Sequence, residues 1–167
     1  MTKLKKITVQ YVETEDRLRL LGEVLAGPVV VLWLTQRLIR RLIPQLCKCL
    51  EQELGTTPMS EIKQEFAQQK ARVDLERQFP VRFEMDAEGV LVQSINLTPS
   101  SIGINLQFRD KGSNILASFQ FQPKSLRQWL NILYDQCLGA GWPTDTWPTW
   151  MSESARQQKS VLKAILH

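Results

Sequence analysis

Residues 29–55 read VVVLWLTQRLIRRLIPQLCKCLEQELG, and this stretch decides the fold. Its first six residues are an uninterrupted apolar run rich in β-branched side chains, which predicts a central strand covered on both faces. Thr35 can cap the helix that follows, and Gly55 can end it. Pro44 removes one backbone hydrogen bond, so we expect the helix to kink or split there. The apolar positions of this helix form one stripe, made of Leu38, Ile39, Leu42, Leu46, Cys49 and Leu50.

The stretch from Ala117 to Leu138 has the same order of strand, break and amphipathic helix. When the two stretches are superposed with a shift of 88 positions, apolar residues coincide. This match suggests an internal duplication, in which one supersecondary unit is used twice. The alternative is that any two strand–helix units align loosely, because both follow the same periodicities. The coinciding pairs are Val31 and Phe119, Trp33 and Phe121, Leu38 and Leu126, Leu42 and Leu130, Cys49 and Cys137, and Leu50 and Leu138.

The patterns of the whole chain predict an α+β fold with two similar β-β-β-α halves, residues 1–55 and 79–141. Antiparallel sheets from these halves pack on amphipathic helices. A polar helix over residues 60–78 joins the halves and is interpreted as a surface bridge or a partner-facing element. We expect a single domain over residues 1–151, followed by an amphipathic helix or tail over 152–167. The predicted strands are residues 7–11, 17–20, 29–34, 81–85, 90–97, 102–108 and 115–121.

Composition indicates an ordinary globular chain with a mild basic excess. The 167 residues include 21 Lys and Arg against 17 Asp and Glu, and the three cysteines do not suggest a disulfide framework. The longest apolar run, Pro28 to Leu34, is far shorter than the ~20 residues that span a bilayer. The basic start of the chain is not followed by the apolar segment of a signal peptide. We therefore expect a cytoplasmic protein without a membrane partner.

No catalytic, cofactor or metal site is predicted. The single histidine is His167, and chain ends are usually too mobile to hold an imidazole against a nucleophile. Cys47 and Cys49 point about 200° apart around their helix, so both cannot bind one metal. Glu84, Asp86 and Glu88 alternate around a turn and are interpreted as a solvated hairpin end. We expect the protein not to be an enzyme and to need no cofactor.

The segment from residue 142 to 150 carries three of the five tryptophans among prolines. Tryptophan is the residue most enriched in binding hot spots, and prolines reduce the entropy lost on docking. The alternatives are that these side chains fold back as a lid on the core or that they stack on nucleic-acid bases. We predict a non-enzymatic protein-interaction module, such as an adaptor, chaperone or assembly subunit, that binds a protein partner or itself as a homo-oligomer. The predicted partner-binding residues are Trp142, Trp147, Trp150, Leu162 and Ile165.

A nucleic-acid-binding accessory protein is the alternative. Arg37, Arg40 and Arg41 lie close together on the first predicted helix, and such a face can contact phosphates. A solvated helix surface is the structural explanation for the same cluster.

Overall fold

The computed structural model of the chain describes residues 1–55 and 57–166, the side chains of 157–162 and 166 excepted. The described residues form an α+β fold with antiparallel sheets, as the sequence predicts. Its strands are β1 (Leu4–Val12), β2 (Arg17–Val24), β3 (Val30–Leu34), β4 (Val90–Leu91), β5 (Ser94–Ser100), β6 (Gly103–Arg109) and β7 (Ile115–Phe121). Its helices are α1 (Gln36–Leu54), α2 (Ser60–Val73), α3 (Pro123–Gly139) and α4 (Thr149–Leu166).

Strand β3 lies inside a sheet, which confirms the central-strand prediction. The first sheet has the order β1-β2-β3-β4, with β3 antiparallel to β2 and parallel to β4. Leu32 and Leu34 face the main core and are fully buried. Val31 points to the other face, where it packs with Leu21 and Val81. Both faces of β3 are therefore covered, which explains why its sequence has no polar alternate positions.

The second sheet has the order β5-β6-β7, and it touches the first sheet at both edges. At one edge, the Ser118 backbone N–H of β7 donates to the Thr2 carbonyl at 2.8 Å. At the other edge, successive backbone amides of Val92 and Gln93 donate to β3 and to β6 at 3.0 and 2.8 Å. β4 and β5 are thus two parts of one bent chain segment that passes from the first sheet to the second. One hydrophobic core is shared by both sheets and by α1, α3 and α4.

The two β-β-β-α units correspond at an offset of 87 positions, one fewer than the sequence pattern suggested. β3 ends at Leu34 and β7 at Phe121, and the helix caps are Thr35 and Gln122, so 122 minus 35 gives the offset. Six equivalent pairs on the two helices are buried at both positions. A duplication of an ancestral unit stays a hypothesis. The pairs are Ile39 and Leu126, Leu42 and Trp129, Ile43 and Leu130, Leu46 and Leu133, Cys47 and Tyr134, and Leu50 and Cys137.

The offset of 88 was wrong because one position turns a helix by about 100°. It paired Leu50, which is 2% exposed, with Leu138, which is 42% exposed. Apolar residues recur at both three- and four-residue intervals, so a pattern can match while the buried faces do not.

Two local predictions differ from the structure, and a third is decided in part. α1 continues through Pro44, whose ring lies on the exposed side of the helix, so the helix does not split there. α2 ends at Val73 rather than at residue 78. Residues 81–85 form no strand, but they lie on the outer face of the first sheet, where the Val81 backbone N–H donates to Thr8 Oγ1 at 2.9 Å.

Helix α4 begins at Thr149 and therefore runs through the domain boundary predicted after residue 151. Trp150, Met151 and Ala155 from its first two turns are buried in the main core. The start of this helix thus belongs to the body of the fold. Within the described residues, no helix is both long enough and apolar enough to cross a membrane.

Candidate protein-interaction surface

The three tryptophans that the sequence suggested as partner-binding residues are buried. Trp142, Trp147 and Trp150 are 7%, 8% and 3% exposed, and all belong to the main core. The Trp142 indole N–H donates to Asp16 Oδ1 at 3.0 Å, and its ring meets Tyr11 edge to face at 5.7 Å. These indoles therefore form a lid on the core, as the alternative interpretation of the sequence expects. They offer little surface to a partner.

The indole N–H groups of Trp142 and Trp150 are both hydrogen-bonded inside the chain. Trp150 Nε1 donates to Glu51 Oε1 at 3.1 Å, and Trp147 contacts Tyr134 edge to face at 5.1 Å. The Asp16 carboxylate accepts hydrogen bonds from Trp142 and from Tyr11, which hold its pKa below the ordinary value, and the bond from Trp142 has the larger effect. Because the apolar area of the three indoles and the N–H groups of Trp142 and Trp150 are used internally, the lid is a stable part of the fold.

The remaining two predicted partner residues lie in the second half of α4. Ile165 is 74% exposed, and the side chain of Leu162 lies outside the described residues. The structure therefore leaves one described residue of the predicted surface, Ile165, open to solvent.

An ordinary surface helix buries its apolar side chains and exposes its polar ones. Helix α2 does the reverse, because it buries the side-chain amides of two glutamines. Gln64 and Gln68 are 2% and 0% exposed, and Ala71 continues the same inward face. Gln64 Oε1 accepts from the Arg127 guanidinium at 2.6 Å, and Gln68 Oε1 accepts from it at 3.4 Å. The amide nitrogens donate to the carbonyls of Leu50 at 3.1 Å and of Arg127 at 2.8 Å. The two glutamines thus tie α2 to both α1 and α3.

Arg127 explains why α2 is turned this way. Its side chain lies among the buried residues of α3, and its residue is 4% exposed. Burial lowers the pKa of Arg127, while the nearby Glu53 carboxylate acts in the opposite direction. The guanidinium also lies 5.7 Å from the centre of the Trp150 ring. A buried cation is costly unless its N–H groups are paired, and the amide oxygens of α2 supply that pairing.

The consequence is an apolar stripe on the solvent side of α2. We define the α2 stripe as Met59, Ile62, Phe66 and Val73, which are 58%, 48%, 67% and 70% exposed. Ile62, Phe66 and Val73 recur at helical spacing, so they lie along one line on the helix surface, and Met59 is the residue that precedes the helix. At about 150–200 Å² for a large side chain, they expose roughly 400 Å² together. That is the scale of the largest apolar patch on a typical monomer, which is often functional.

The sequence spacing places Ile62, Phe66 and Val73 on one face of this helix, but it does not show whether that face meets the core or the solvent. The sequence signal for the outward orientation of this apolar face is Arg127, which falls on the same inward helical face as Leu126, Leu130 and Leu133. A cation at a core position requires acceptors, and amide side chains are suitable ones.

The arginine cluster lies at the beginning of α1, on the protein surface. Arg37 and Arg41 are exposed, whereas Arg40 pairs with Asp145 at 3.0 Å. Together with Gln36 and Thr146 these side chains line a shallow depression. The structure thus brings the three predicted phosphate-contacting residues together, with one of them already paired.

A separate groove of about 360 Å³ lies where the turn between β5 and β6 approaches the end of α1 and the start of α3. Its lining is mostly apolar, and Glu53 is the only charged residue among those that line it. Ile102, at the tip of the turn, is 60% exposed and lies at its rim. The described residues that line the groove include no pair of groups suited to acid–base chemistry.

Two of the three cysteines, Cys47 and Cys137, are buried, and Cys49 is half-buried. Burial raises the pKa of Cys47 to about 12 and that of Cys137 to about 11, and it also raises the pKa of the half-buried Cys49. A nucleophilic cysteine requires the reverse shift. In the described part of the chain, no three His, Cys, Asp or Glu side chains are grouped to hold a metal ion. His167 lies outside the described residues.

The chain matches no family model, no curated protein and no solved structure.

Proposed function

We propose that this protein is a non-enzymatic protein-interaction module, of the adaptor, chaperone or assembly-subunit kind, and that the α2 stripe is its contact surface. The observation that carries the proposal is the reversed polarity of α2, which buries Gln64 and Gln68 and exposes Ile62, Phe66 and Val73. A helix that only had to cover the core would bury its apolar side chains.

The stripe is held in place before any partner arrives. Rotating α2 to bury Phe66 would break the hydrogen bonds from Arg127 to Gln64 and Gln68 and would leave a buried cation unpaired. The backbone of the stripe is therefore already ordered, and little conformational entropy is lost on docking. Large apolar side chains on a rigid helix are what helix-in-groove and helix–helix partners recognise.

We further propose that the module works in the cytoplasm. Support comes from its three free cysteines, two of them buried, which suit a reducing compartment. The high pKa values of Cys47 and Cys137 support the proposal that the protein is not a thiol enzyme.

The experiment is affinity purification of the tagged full-length chain from its native cells, with Phe66→Glu as the test variant. Ile102→Glu is the matched control, because Ile102 is also an exposed apolar residue but lies in the β5–β6 turn. We expect wild type and Ile102→Glu to retain the same stoichiometric protein, which Phe66→Glu loses while its melting temperature is unchanged. Equal recovery by Phe66→Glu and wild type would show that the α2 stripe is not the contact surface.

A nucleic-acid-binding accessory role is the second candidate, and the observation that favours it is the shared depression lined by Arg37, Arg40 and Arg41. Phosphate contacts release counterions, so binding to bulk DNA or RNA should weaken steeply with salt. The double variant Arg37→Ala/Arg41→Ala should lose this binding, whereas Lys111→Ala, an exposed charge in the β6–β7 turn, should retain it. Absence of salt-sensitive binding in the wild type would exclude this role.

A further inference from the structure

We propose that the free edge of β5 binds an extended segment of another protein, which adds to the second sheet as a further strand. This site is separate from the α2 stripe and does not rest on it. It is carried by the unpaired backbone of β5, by two half-buried side chains along that backbone and by the groove at its end.

Strand β5 has a partner on one side only. Within the described residues it pairs with β6, and no strand pairs with its other side, which we call the β5 edge. β3 runs beside residues 90–92 but ends at Leu34, where the chain turns into α1. No strand of the first sheet therefore continues beside β5. The unpaired backbone groups of such an edge are a template for another strand.

The turn between β5 and β6 fixes which backbone groups lie on the β5 edge. Two residues connect the partners Ser100 and Gly103, and a turn of this length closes on a hydrogen-bonded pair. Because hydrogen-bonded and non-hydrogen-bonded pairs alternate, the N–H and C=O groups of Ile95 and Leu97 point away from β6. Pro99 belongs to the same set, and its missing N–H suits an edge position. Among the described residues, no hydrogen bond from a turn or loop backbone reaches Ile95 or Leu97.

The core is also open along this edge. Ile95 and Leu97 pack against the main core beside their β6 partners, Phe108 and Leu106, which are fully buried. The two β5 side chains are only half-buried, because no strand lies beside them. A strand on the β5 edge would cover these side chains and satisfy the backbone groups at the same time. The occupant that fits is therefore an extended peptide rather than a helix.

The β5 edge lacks the charges that commonly prevent strand pairing. Residues 89–108 contain no charged side chain, although lysines and other charges usually protect an exposed edge. β1, at the far side of the first sheet, carries Lys5 and Lys6 by contrast. Only Pro99, near the turn, interrupts the row of donors on the β5 edge.

The groove at the end of the β5 edge defines the chemistry of the occupant. Pro99 and Ser100 line this groove from β5, and Cys49 and Glu53 line it from α1. Its volume of about 360 Å³ and its mostly apolar lining suit a large apolar side chain. The Glu53 carboxylate favours a basic residue beside that side chain. The structure thus fits a segment with alternating apolar residues and a lysine or arginine at the end that reaches Pro99.

Peptide selection on the immobilised full chain tests the site. The probe is a phage-displayed library of random peptides about ten residues long, enough to span the 7 residues of β5. We expect the enriched peptides to have alternating apolar residues and a basic residue near one end. If no peptide is enriched, the proposal is wrong.

Leu97→Pro is the variant that blocks the β5 edge, because it removes an outward N–H at a position equivalent to that of Pro99. It should bind a selected peptide at least about tenfold more weakly than the wild type. Phe66→Glu, on the α2 stripe, is the control and should bind the peptide like the wild type. Equal binding by Leu97→Pro and the wild type overturns the proposal.

N-methylation of the selected peptide tests strand addition without any protein variant. A methyl group on a peptide amide removes one donor, and alternate residues of a strand direct their N–H groups to the same side. Methylation at every second position should therefore weaken binding, whereas methylation at the positions between should have little effect. A peptide that shows no such alternation does not bind as a strand.

Amide hydrogen exchange locates the contact on the wild-type chain. The amides of Ile95 and Leu97 are unpaired and should exchange faster than those of Asn96 and Thr98, which point to β6. Saturation with the selected peptide should slow exchange at Ile95 and Leu97 at least about tenfold. Protection confined to α2 would place the peptide on the α2 stripe and contradict the inference.

A double-mutant cycle tests the role of Glu53. Glu53→Gln, and replacement of the basic peptide residue by glutamine, should each weaken binding severalfold, and the two changes together should weaken it no further. Losses that multiply independently would show that the basic residue does not reach the groove.

A second copy of the chain is the other occupant that an exposed edge can take. Sedimentation velocity of the wild type and of Leu97→Pro distinguishes it. We expect both to be monomeric through this site. A wild-type dimer that Leu97→Pro loses would show that two β5 edges pair with each other, and a separate protein segment would then not be the partner.

Discussion

The network formed by Arg127, Gln64 and Gln68 should behave as a unit in stability measurements. Arg127→Met removes the guanidinium from two buried amide oxygens, at 2.6 and 3.4 Å. Gln64→Leu leaves the guanidinium without its closest acceptor. A buried polar group left without its partner costs about 1–3 kcal/mol, and more when it is charged. We therefore expect each single variant to lose about 2–3 kcal/mol of unfolding free energy.

The double variant Arg127→Met/Gln64→Leu should lose much less than the sum of the two. It replaces the closest polar pair by apolar side chains of similar length, and such replacements of buried pairs are often near neutral. We expect a coupling energy of about 1.5 kcal/mol or more, larger than the ~0.5 kcal/mol scatter of independent sites.

Urea unfolding followed by far-UV circular dichroism measures all four proteins of this cycle. For a domain of this size, each kcal/mol also moves the melting temperature by about 2–4 °C, which gives a second reading. Losses that add within ~0.5 kcal/mol would refute the claim that the guanidinium and the amide stabilise one another. Single variants that unfold like the wild type would refute the burial of this network altogether.

Further predictions concern the core lid, the central strand and the titrating groups. Val31→Asp should lower the free energy of unfolding, measured with a chemical denaturant, by several kcal/mol, because it places an unpaired carboxylate at a position that is 5% exposed. A melting temperature within a degree or two of wild type would contradict this prediction. Truncation after Pro143 should abolish the cooperative thermal transition, since it removes Trp147 and the start of α4 from the core; a truncated chain that still melts cooperatively would contradict the lid. The pKa of Asp16 is lowered in the folded state, so its carboxylate contributes stability above its unfolded pKa of about 4, and this contribution is lost as the pH falls through the folded pKa. Asp16→Asn should therefore flatten the acid side of a curve of unfolding free energy against pH. An unchanged acid side would argue against the hydrogen bond from Trp142. Cys49, which is half-buried, should react with a thiol reagent before the two buried cysteines do, as peptide mapping would show.

Much of the fold could be predicted from the sequence because it depends on local periodicity. The uninterrupted apolar run of residues 29–34 predicted a strand with two covered faces, and the structure places β3 between β2 and β4. The helical stripes after Thr35 and after Gln122 predicted α1 and α3. Side chains that alternate every two residues, or recur every 3.6, carry this information within a single segment.

The candidate site could not be predicted in the same way. By composition the tryptophans from residue 142 to 150 fit either a lid or an interface, and the lid is recognised only from contacts with residues far away in sequence, such as Asp16 and Glu51. The limit of α2 at Val73 likewise depends on the path that the chain takes to the outer face of the first sheet.

By itself the sequence determined the α+β class, the two β-β-β-α units and the absence of recognisable catalytic motifs, because each follows from residue types and short-range spacing. Only the tertiary structure decided which face of α2 meets solvent. That orientation depends on Arg127, a buried cation from a helix about 60 residues away, whose need for acceptors draws Gln64 and Gln68 inward and turns Phe66 outward. The pairing of a buried charge is a relation between distant segments, and no periodicity within one segment records it.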